Sequence, residues 1–321
     1  MEYFVFSRNL EFGAWGLVLF LFTWGFGLGT SCFSQQDVAI SQYYYNPLAV
    51  NPGYCGIRDA LNVVLLNRNQ WVGFNGAPAT QSLTMQAPFF EKKVGLGIQI
   101  INDKIGFRKN LAALTSVSYK LILDNVKISF GLRGGIYRFQ VDKNSVEYDD
   151  PNEPGSLNFL NNKTLPSFDF GIYLQSRKFF AGGSSSHINQ PKIYIQRQAP
   201  EIYILLNRHY FVTAGYIFPV NENFRIIPSF LLRAAEKVPT NIDFNTQVIY
   251  KEKIGAGMSY RTNNTLVYQL NFSPNENLKA GYSFDYSLLF NKIKTAAYTH
   301  EIFISYDIIM CKTQTLHPKF L

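Results

Sequence analysis

Few residues in this 321-residue chain have the types and spacing that catalysis or metal binding requires. The histidines are His187, His209, His300 and His317, and none of them forms a His-x-x-x-His pair; the sequence also contains no Cys-x-x-Cys pair. Such spacings are how short motifs bring metal ligands together. The sequence therefore predicts no metal site and no cofactor.

A histidine beside a carboxylate is the nearest approach to an acid–base pair. His300 and Glu301 open the last predicted strand, and such a pair can support general-base chemistry. No nucleophile in a recognisable motif accompanies them. We interpret the two residues as a polar pair at an interface, and we predict that the protein is not an enzyme.

An acidic run, Asp149-Asp150-Pro151-Asn152-Glu153-Pro154, lies in the longest predicted loop. Oxygen-rich loops can hold calcium, but the Asp-x-Asp spacing and the glycine of a calcium loop are missing. The prolines favour a solvated turn, so Asp149 and Asp150 are interpreted as exposed residues of that loop.

The elements that position these residues are β-strands. The stretch Arg68–Pro88 organises the pattern, because alternating apolar and polar residues on both sides of a Gly-Ala-Pro break indicate a hairpin. Similar alternation continues to the end of the chain and predicts fourteen strands, each near the roughly 10 residues of a membrane strand. Their approximate spans are 61–71, 79–88, 93–103, 110–122, 126–140, 167–176, 178–186, 208–219, 223–234, 241–250, 253–261, 264–273, 277–289 and 298–308.

Alternation alone does not separate a membrane barrel from a soluble sandwich. Three observations favour the barrel. Aromatic residues gather at the strand ends, as interface girdles require. The N-terminus resembles an export signal. Connections after even-numbered strands are short and several after odd-numbered strands are long, notably 141–166 and 187–207, which is the outer-membrane pattern of periplasmic turns and outer loops. We therefore predict an all-β fold, a transmembrane antiparallel β-barrel of about 14 strands in the outer membrane.

The ends of the chain divide into further segments. Residues 1–34 have the Arg8 n-region and apolar core of a signal peptide, with small residues for cleavage before Gln35; an uncleaved anchor and lipidation at Cys32 are the alternatives. Residues 35–60 are interpreted as an N-terminal periplasmic arm that could also fill the lumen, 61–309 as the barrel, and 310–321 as a tail. Cys55 and Cys311 are either two free thiols or a disulfide.

The chain is basic, with a net charge of +8. Because its Lys and Arg residues are scattered and no nucleic-acid motif is present, we predict no nucleic-acid partner. Solvated turns and attraction to an anionic membrane surface account for the charge. Outer-membrane lipid is accordingly one predicted partner.

A surface for a protein partner is predicted at one rim of the barrel. Its candidate residues are Arg68, Trp71, Phe74 and Asn75 around the first hairpin, with Asp149 and Asp150 in the long loop. Long loops on barrels are often functional. Interstrand and loop hydrogen bonding is the alternative explanation for the polar members of this set.

A series of segments resembles the PorP/SprF family of Bacteroidetes. These segments are SQYYYNPLAVNPGYCG, NRNQWVGFNGAPATQSLTMQAP, KVGLGIQIINDKIG, KTLPSFDFGIYL, HYFVTAGYIF, IIPSFLLRA, IGAGMSYRT, KAGYSFDYSLL and HEIFISY, which together cover nearly the whole chain after residue 34. Cys55 and the tail after Ile309 depart from the family pattern.

The resemblance implies an outer-membrane barrel of the type IX secretion system and of gliding motility. It implies partners of two kinds, namely secreted surface proteins with type IX C-terminal domains and periplasmic components of the secretion apparatus. No catalytic residues are implied. The alternative function is a passive outer-membrane diffusion channel or solute transporter, and an outer-membrane hydrolase is disfavoured because no nucleophile–base pair is evident.

Overall fold

The computed structural model describes residues 38–141, 163–196, 202–236, 238–288 and 298–309. Two short 3-10 turns, Pro47–Ala49 and Pro52–Tyr54, precede seventeen strands. The strands are β1 (Leu61–Asn69), β2 (Ala79–Phe89), β3 (Val94–Ile105), β4 (Arg108–Leu123), β5 (Val126–Val141), β6 (Lys163–Ser176), β7 (Phe179–Ser186), β8 (Lys192–Gln196), β9 (Ile202–Leu205), β10 (His209–Tyr216), β11 (Phe218–Pro219), β12 (Phe224–Ala235), β13 (Val238–Tyr250), β14 (Ile254–Arg261), β15 (Thr265–Phe272), β16 (Leu278–Ser287) and β17 (Tyr298–Ile308).

The strands close into one antiparallel barrel. Neighbours in sequence pair with each other, β1 pairs with β17, and β10 pairs with both β7 and β12 across the β8–β9 hairpin and β11. The short β11 also pairs with β12 and continues the line of β10 beyond Ile217. The closed ring therefore contains fourteen strands. The predicted barrel and its strand number are confirmed.

The barrel wall is polar inside and apolar outside. On β3, Leu96, Ile98 and Ile100 are exposed at 40–50%, whereas the intervening Gln99 is 1% exposed. A soluble protein buries its apolar residues and exposes its polar ones. The reversed pattern identifies the outer surface as the face that meets lipid. The barrel therefore spans a membrane.

The two ends of the barrel differ, and we name them for their connections. At the turn end, tight turns such as 90–93 and 251–253 join the strands, with positive φ at Phe90, Glu91, Lys92, Lys251 and Glu252. At the loop end, longer connections follow β1, β5 and β7. The connection after β7 carries the β8–β9 hairpin, which the sequence analysis placed within a loop. No helix in the described parts of the chain is long and apolar enough to cross a membrane.

The segment 38–60 lies inside the barrel. Most of its side chains are buried, including Tyr44, Leu48, Tyr54 and Cys55. It was interpreted as a periplasmic arm, and the structure instead places it in the lumen, the second position considered for it. The reason is chemical: its tyrosines and prolines cover interior surface that a wide barrel leaves unfilled. We call residues 38–60 the lumen segment.

Candidate functional site

The lumen segment runs along the barrel from the loop end to the turn end. Ser41 hydrogen-bonds to Arg68, one residue before the loop end of β1. Gly56 is bonded to Gln86 and Lys120, close to the turn ends of β2 and β4. The chain then enters β1 at Leu61. The segment therefore extends through much of the length of the lumen.

Strands around the whole circumference hold this segment. Its hydrogen bonds reach β1, β2, β4, β5, β6, β7, β14, β15, β16 and β17. Tyr43 and Val50 also pack with Phe211 of β10 and Leu231 of β12. A segment tied to strands on all sides occupies the lumen and does not line only one wall.

Six charged side chains from six strands meet inside the barrel near the loop end. Arg68 contacts Asp285 at 2.8 Å and Glu301 at 2.9 Å. Asp243 binds both Arg233 and Arg261, and Arg261 lies 3.7 Å from Asp285. We call Arg68, Arg233, Asp243, Arg261, Asp285 and Glu301 the charge cluster. It balances three cations with three carboxylates, so the buried charges are compensated.

The charge cluster forms hydrogen bonds with the lumen segment, including its backbone. The Glu301 carboxylate accepts hydrogen bonds from the backbone N–H groups of Ser41 at 3.0 Å and Gln42 at 2.8 Å. The Ser41 hydroxyl donates to Asp285 at 2.7 Å and accepts from Arg68 at 2.9 Å. The Ser41 carbonyl accepts from Gln269 at 3.1 Å. These bonds satisfy buried polar groups that would otherwise be costly.

Aromatic stacking fills the middle of the lumen. Tyr45 stacks on Phe303 of β17 with ring centroids 5.0 Å apart, and Tyr54 meets Tyr173 of β6 edge-on at the same distance. Burial raises the pKa of the Tyr44 and Tyr45 hydroxyls above the ordinary value. The tyrosine run Tyr43-Tyr44-Tyr45 is thus part of the interior packing.

Glycines of the barrel wall make room for the second half of the lumen segment, residues 47–60. A side chain at Gly95 of β3 would overlap the Cys55 carbonyl, and one at Gly131 of β5 would overlap the Pro52 carbonyl. A side chain at Gly171 of β6 would overlap the Asn51 amide. A glycine in a strand interior often marks such a close backbone approach.

Asn51 caps the second 3-10 turn, Pro52–Tyr54, and ties it to the barrel wall. Its side-chain oxygen accepts from the Gly53 N–H at 2.8 Å, and its side-chain nitrogen donates to the carbonyls of Ile172 at 3.0 Å and Gly183 at 3.3 Å. The same amide therefore caps a local turn and binds two wall strands.

Cys55 is enclosed between the segment and the wall. Its side chain is fully buried, and it is a free cysteine. Burial raises the pKa of the Cys55 thiol to about 12, although the positive charges of Lys120 and Arg133 partly oppose this. A thiol in this environment is unreactive. Its suggested partner, Cys311, lies outside the described residues.

At the turn end the lumen opens into a polar cavity of about 240 Å³. Arg58 pairs with Asp307 at 2.9 Å, and Asp59 lies 3.2 Å from Lys127 and 3.7 Å from Lys92. These ion pairs hold the end of the lumen segment where it turns into β1. The cavity has charged walls of both signs and faces the short turns.

The predicted docking residues separate into three places. Trp71, Phe74 and Asn75 are exposed on the 70–78 loop at the loop end, with Phe74 at 59%. Arg68 is 2% exposed and belongs to the charge cluster, so its side chain is not available to a partner at the surface. Asp149 and Asp150 lie outside the described residues.

Backbone contacts order the 70–78 loop. The Val72 N–H donates to the Tyr298 carbonyl at 2.9 Å, and the Gly106 N–H donates to the Gly76 carbonyl at 2.9 Å. Gly76 has φ of 75°, a conformation that glycine adopts without strain. The loop therefore presents Trp71 and Phe74 on a fixed backbone.

His300 and Glu301 are not a pair, because adjacent strand residues point to opposite faces. Glu301 faces the lumen, whereas His300 lies on the outer face and shares a 2.7 Å hydrogen bond with the Tyr282 hydroxyl. The interpretation of the two as one polar pair is wrong for this reason, and they cannot act together as acid and base.

The sequence analysis missed a serine–histidine contact inside the barrel. The Ser167 hydroxyl lies 2.7 Å from His187 Nδ1, and Asp169 accepts a hydrogen bond from the His187 backbone N–H at 2.8 Å. All three side chains are buried, and Asp169 pairs with Arg133. Since Asp169 binds the histidine backbone and not its ring, it does not orient the imidazole as a catalytic triad requires.

From the sequence, the interior networks could be found only by aligning the strands and noting which charged residues point inward. Arg68, Asp285 and Glu301 lie at inward positions toward one end of their strands, a pattern visible once the strands are aligned. In the described residues, no group of three or more His, Cys, Asp or Glu side chains is arranged to hold a metal ion.

Comparisons with known proteins give a family match and structures of similar fold. The model of the family "Type IX secretion system membrane protein PorP/SprF" matches residues 32–306. The fold is similar to Omp33 of Acinetobacter baumannii, with 7% identity, a TM-score of 0.47, and coverage of 78% of this chain and 99% of that one. It is also similar to the CymD monoaromatic hydrocarbon channel, with 11% identity, a TM-score of 0.48, and coverage of 82% and 92%. No curated protein matches the chain significantly.

Proposed function

Because the chain belongs to the PorP/SprF family of type IX secretion system membrane proteins, we propose that it is a non-enzymatic outer-membrane adaptor that assists the export or surface anchoring of particular large proteins. One face of the adaptor meets the exported protein, through its type IX C-terminal domain. The other meets periplasmic components of the apparatus. Gliding motility is the process such surface proteins would serve.

The occupied lumen carries this proposal. A diffusion channel needs a continuous aqueous path, and here the lumen segment bonds to strands on all sides of the barrel. Glu301, Arg133 and Lys120 each bind backbone groups of that segment. Such an interior favours a protein that works through its two ends over one that conducts solutes.

The loop end offers the surface for the exported partner. Trp71 and Phe74 are exposed on an ordered loop, and aromatic side chains are the usual anchors of protein interfaces. The short turns and the charged cavity at the other end are the surface for periplasmic components. Asp149 and Asp150 remain candidates for contact with the exported partner.

The experiment is a deletion of the gene in its host, with the surface and culture-medium proteomes compared by mass spectrometry. If the protein is an adaptor, the deletion strain should lose one or a few large proteins with type IX C-terminal domains from its surface. Complementation with Trp71→Ala/Phe74→Ala should restore the barrel in the membrane but not the cargo. An unchanged proteome would overturn the proposal.

A matched measurement addresses the channel alternative. Purified full-length protein in planar bilayers should show no steady conductance, since the lumen segment fills the barrel. Steady ion conductance by the wild-type protein, together with an unchanged surface proteome, would favour the channel.

A further inference from the structure

The polar cavity at the turn end carries a surplus of positive charge. Among the described residues that line it, five are Lys or Arg and four are Asp or Glu. Two of these carboxylates are shared with cations outside the lining, because Asp59 also contacts Lys92 at 3.7 Å and Glu252 also pairs with Arg225. Clefts with an excess of one charge attract ligands of the opposite charge. The cavity therefore favours an anionic ligand.

A buried hydrogen-bond acceptor belongs to the same cavity. Gln175 of β6 lines it and is 5% exposed. No donor in the described part of the chain lies within hydrogen-bonding distance of Gln175 Oε1. A buried acceptor without a donor is costly, and each such group in a folded protein calls for an explanation. A ligand that brings an N–H group into the cavity would supply the donor.

A cation stands beside this acceptor. Lys127 of β5 lies directly opposite Gln175 in the register of the two strands, and both line the cavity. Side chains in such positions are roughly 5 Å apart at Cβ. An ammonium group has three donors, and Lys127 uses two of them on Asp59 at 3.2 Å and on the Ile57 carbonyl at 3.4 Å. The third is left for an oxygen of the ligand.

A cation next to an acceptor matches the C-terminal end of a polypeptide. There the carboxylate and the last N–H are separated by a single Cα atom, so one residue can reach both wall groups. Capture of a terminal carboxylate is a recurring mode of peptide recognition. The cavity volume of about 240 Å³ lies below the roughly 300–1,000 Å³ of pockets for drug-sized ligands. This size suits the last one or two residues of a chain.

We propose that the turn-end cavity binds the C-terminal end of a periplasmic polypeptide. Lys127 contacts the terminal carboxylate, and Gln175 Oε1 accepts the last N–H. The inference rests on the proposed function, which takes the turn end to be the periplasmic end, and it names the chemistry by which that end recognises its partner. The preceding part of the partner lies against turns 251–253 and 275–277, whose residues line the cavity.

The test measures peptide binding to the full-length protein purified in neutral detergent. The probe is penta-alanine with fluorescein at its N-terminus and a free C-terminal carboxylate, and binding is followed by fluorescence anisotropy. The same peptide as its C-terminal amide lacks the negative charge. It should bind about tenfold more weakly, because it loses a hydrogen bond to a charged group. Equal binding of the two peptides would overturn the site.

Two variants separate the roles of the wall groups. Lys127→Gln should weaken the carboxylate peptide about tenfold and leave the amide peptide unchanged, so that the two bind equally. Gln175→Leu removes the acceptor and should weaken both peptides about fivefold. Heat-modifiable electrophoretic mobility shows that each variant is folded. If Lys127→Gln keeps the preference for the carboxylate, which a merely structural role would leave in place, the assignment is wrong.

Lys178→Gln is the control for net charge. Lys178 is exposed in the turn after β6, three residues from Gln175, and it does not line the cavity. This variant removes the same charge as Lys127→Gln and should bind both peptides as the wild-type protein does. If it loses as much binding as Lys127→Gln, net charge alone attracts the peptide and the site is overturned.

The size of the ligand is tested with N-acetylglycine, which has a carboxylate and an adjacent N–H but no further chain. It should displace the labelled peptide more weakly than unlabelled penta-alanine does. If it competes as tightly, the ligand is a small carboxylic acid and the polypeptide assignment is wrong.

These measurements are independent of the proteome comparison. Loss of cargo from the deletion strain without a carboxylate preference would overturn this inference alone. The expected peptide preference together with an unchanged surface proteome would overturn the adaptor and support the cavity as a peptide site.

Discussion

The two halves of the lumen segment are held by different kinds of interaction. Residues 38–46 are bound chiefly by charged and polar side chains of β1 and β14–β17. Among these, Glu301 accepts hydrogen bonds from two backbone N–H groups. Residues 47–60 lie against glycines of β3, β5 and β6, where the backbones approach closely. The first half depends mainly on the charge cluster. The second half combines close backbone packing with ion pairs at Arg58 and Asp59, so different substitutions should disturb the two halves.

Glu301→Ala should give the largest effect. It removes a buried carboxylate and leaves Arg68 and the N–H groups of Ser41 and Gln42 without that acceptor. Breaking a buried pair on one side costs about 3–5 kcal/mol. The free energy of unfolding, measured by urea titration of the protein in lipid vesicles, should fall by about this amount.

The control for charge is the double variant Arg68→Met/Glu301→Met. Removing both partners leaves no lone charge from this pair, so the loss should be smaller than for Glu301→Ala alone. If the double variant is the less stable of the two, the cluster does not act through charge compensation.

Gly131→Val tests the second half through shape. The added side chain would meet the Pro52 carbonyl and the Gly53 N–H, which are backbone groups that cannot rotate away. Overpacking of this kind costs about 1–3 kcal/mol. The unfolding titration should show this loss, and alkylation of Cys55 should become faster.

Gly134→Val is the matched control on the same strand. A side chain there would meet only the Phe168 ring at an ordinary distance of 3.4 Å. Its stability should stay within about 0.5 kcal/mol of the wild-type value. Equal destabilisation by both substitutions would show that β5 resists valine in general and would remove the evidence for close packing.

Asn51→Ala should have a smaller effect on the same half. The variant loses the turn cap at Gly53 and the bonds to the Ile172 and Gly183 carbonyls. Loss of a cap costs about 0.5–2 kcal/mol. Asn75→Ala, on the exposed loop, should be nearly neutral, and a comparable loss there would contradict the assignment.

The barrel could be predicted from sequence because its signals are local. Alternation along each strand, such as Val94 to Ile100, is set by neighbours in the chain, and it locates the strands before any pairing is known. Closure followed from the requirement that no edge faces lipid. The strand ends and the β8–β9 hairpin were predicted less accurately, because they depend on contacts beyond the strand itself.

The interior could not be predicted, because its partners are distant in sequence. Ser41 bonds to Asp285 and Glu301, over 240 residues away, and no local pattern announces this contact. The sequence analysis noticed Arg68 as polar and placed it on a surface. Its inward position follows only from the register of β1 with β17, where it opposes Glu301.

The smallest effect is expected from Cys55, where chemistry and not stability is the measurement. In the folded protein the pKa of this thiol is raised to about 12, against about 8.5 for a free cysteine, so at pH 8 the reactive thiolate should be on the order of 1000-fold scarcer than in the unfolded chain. Maleimide labelling of a Cys32→Ser/Cys311→Ser variant should therefore be very slow until urea unfolds the barrel. Because the folded pKa is the higher one, the thiol supports folding below about pH 8.5 and ceases to do so as the pH rises toward 12. Cys55→Ala should lose less stability between pH 8 and pH 11 than the wild-type protein. Rapid labelling of the folded barrel at pH 8 would show that the second half of the lumen segment leaves the wall without unfolding, and the two halves would then differ as a fixed half and a movable half.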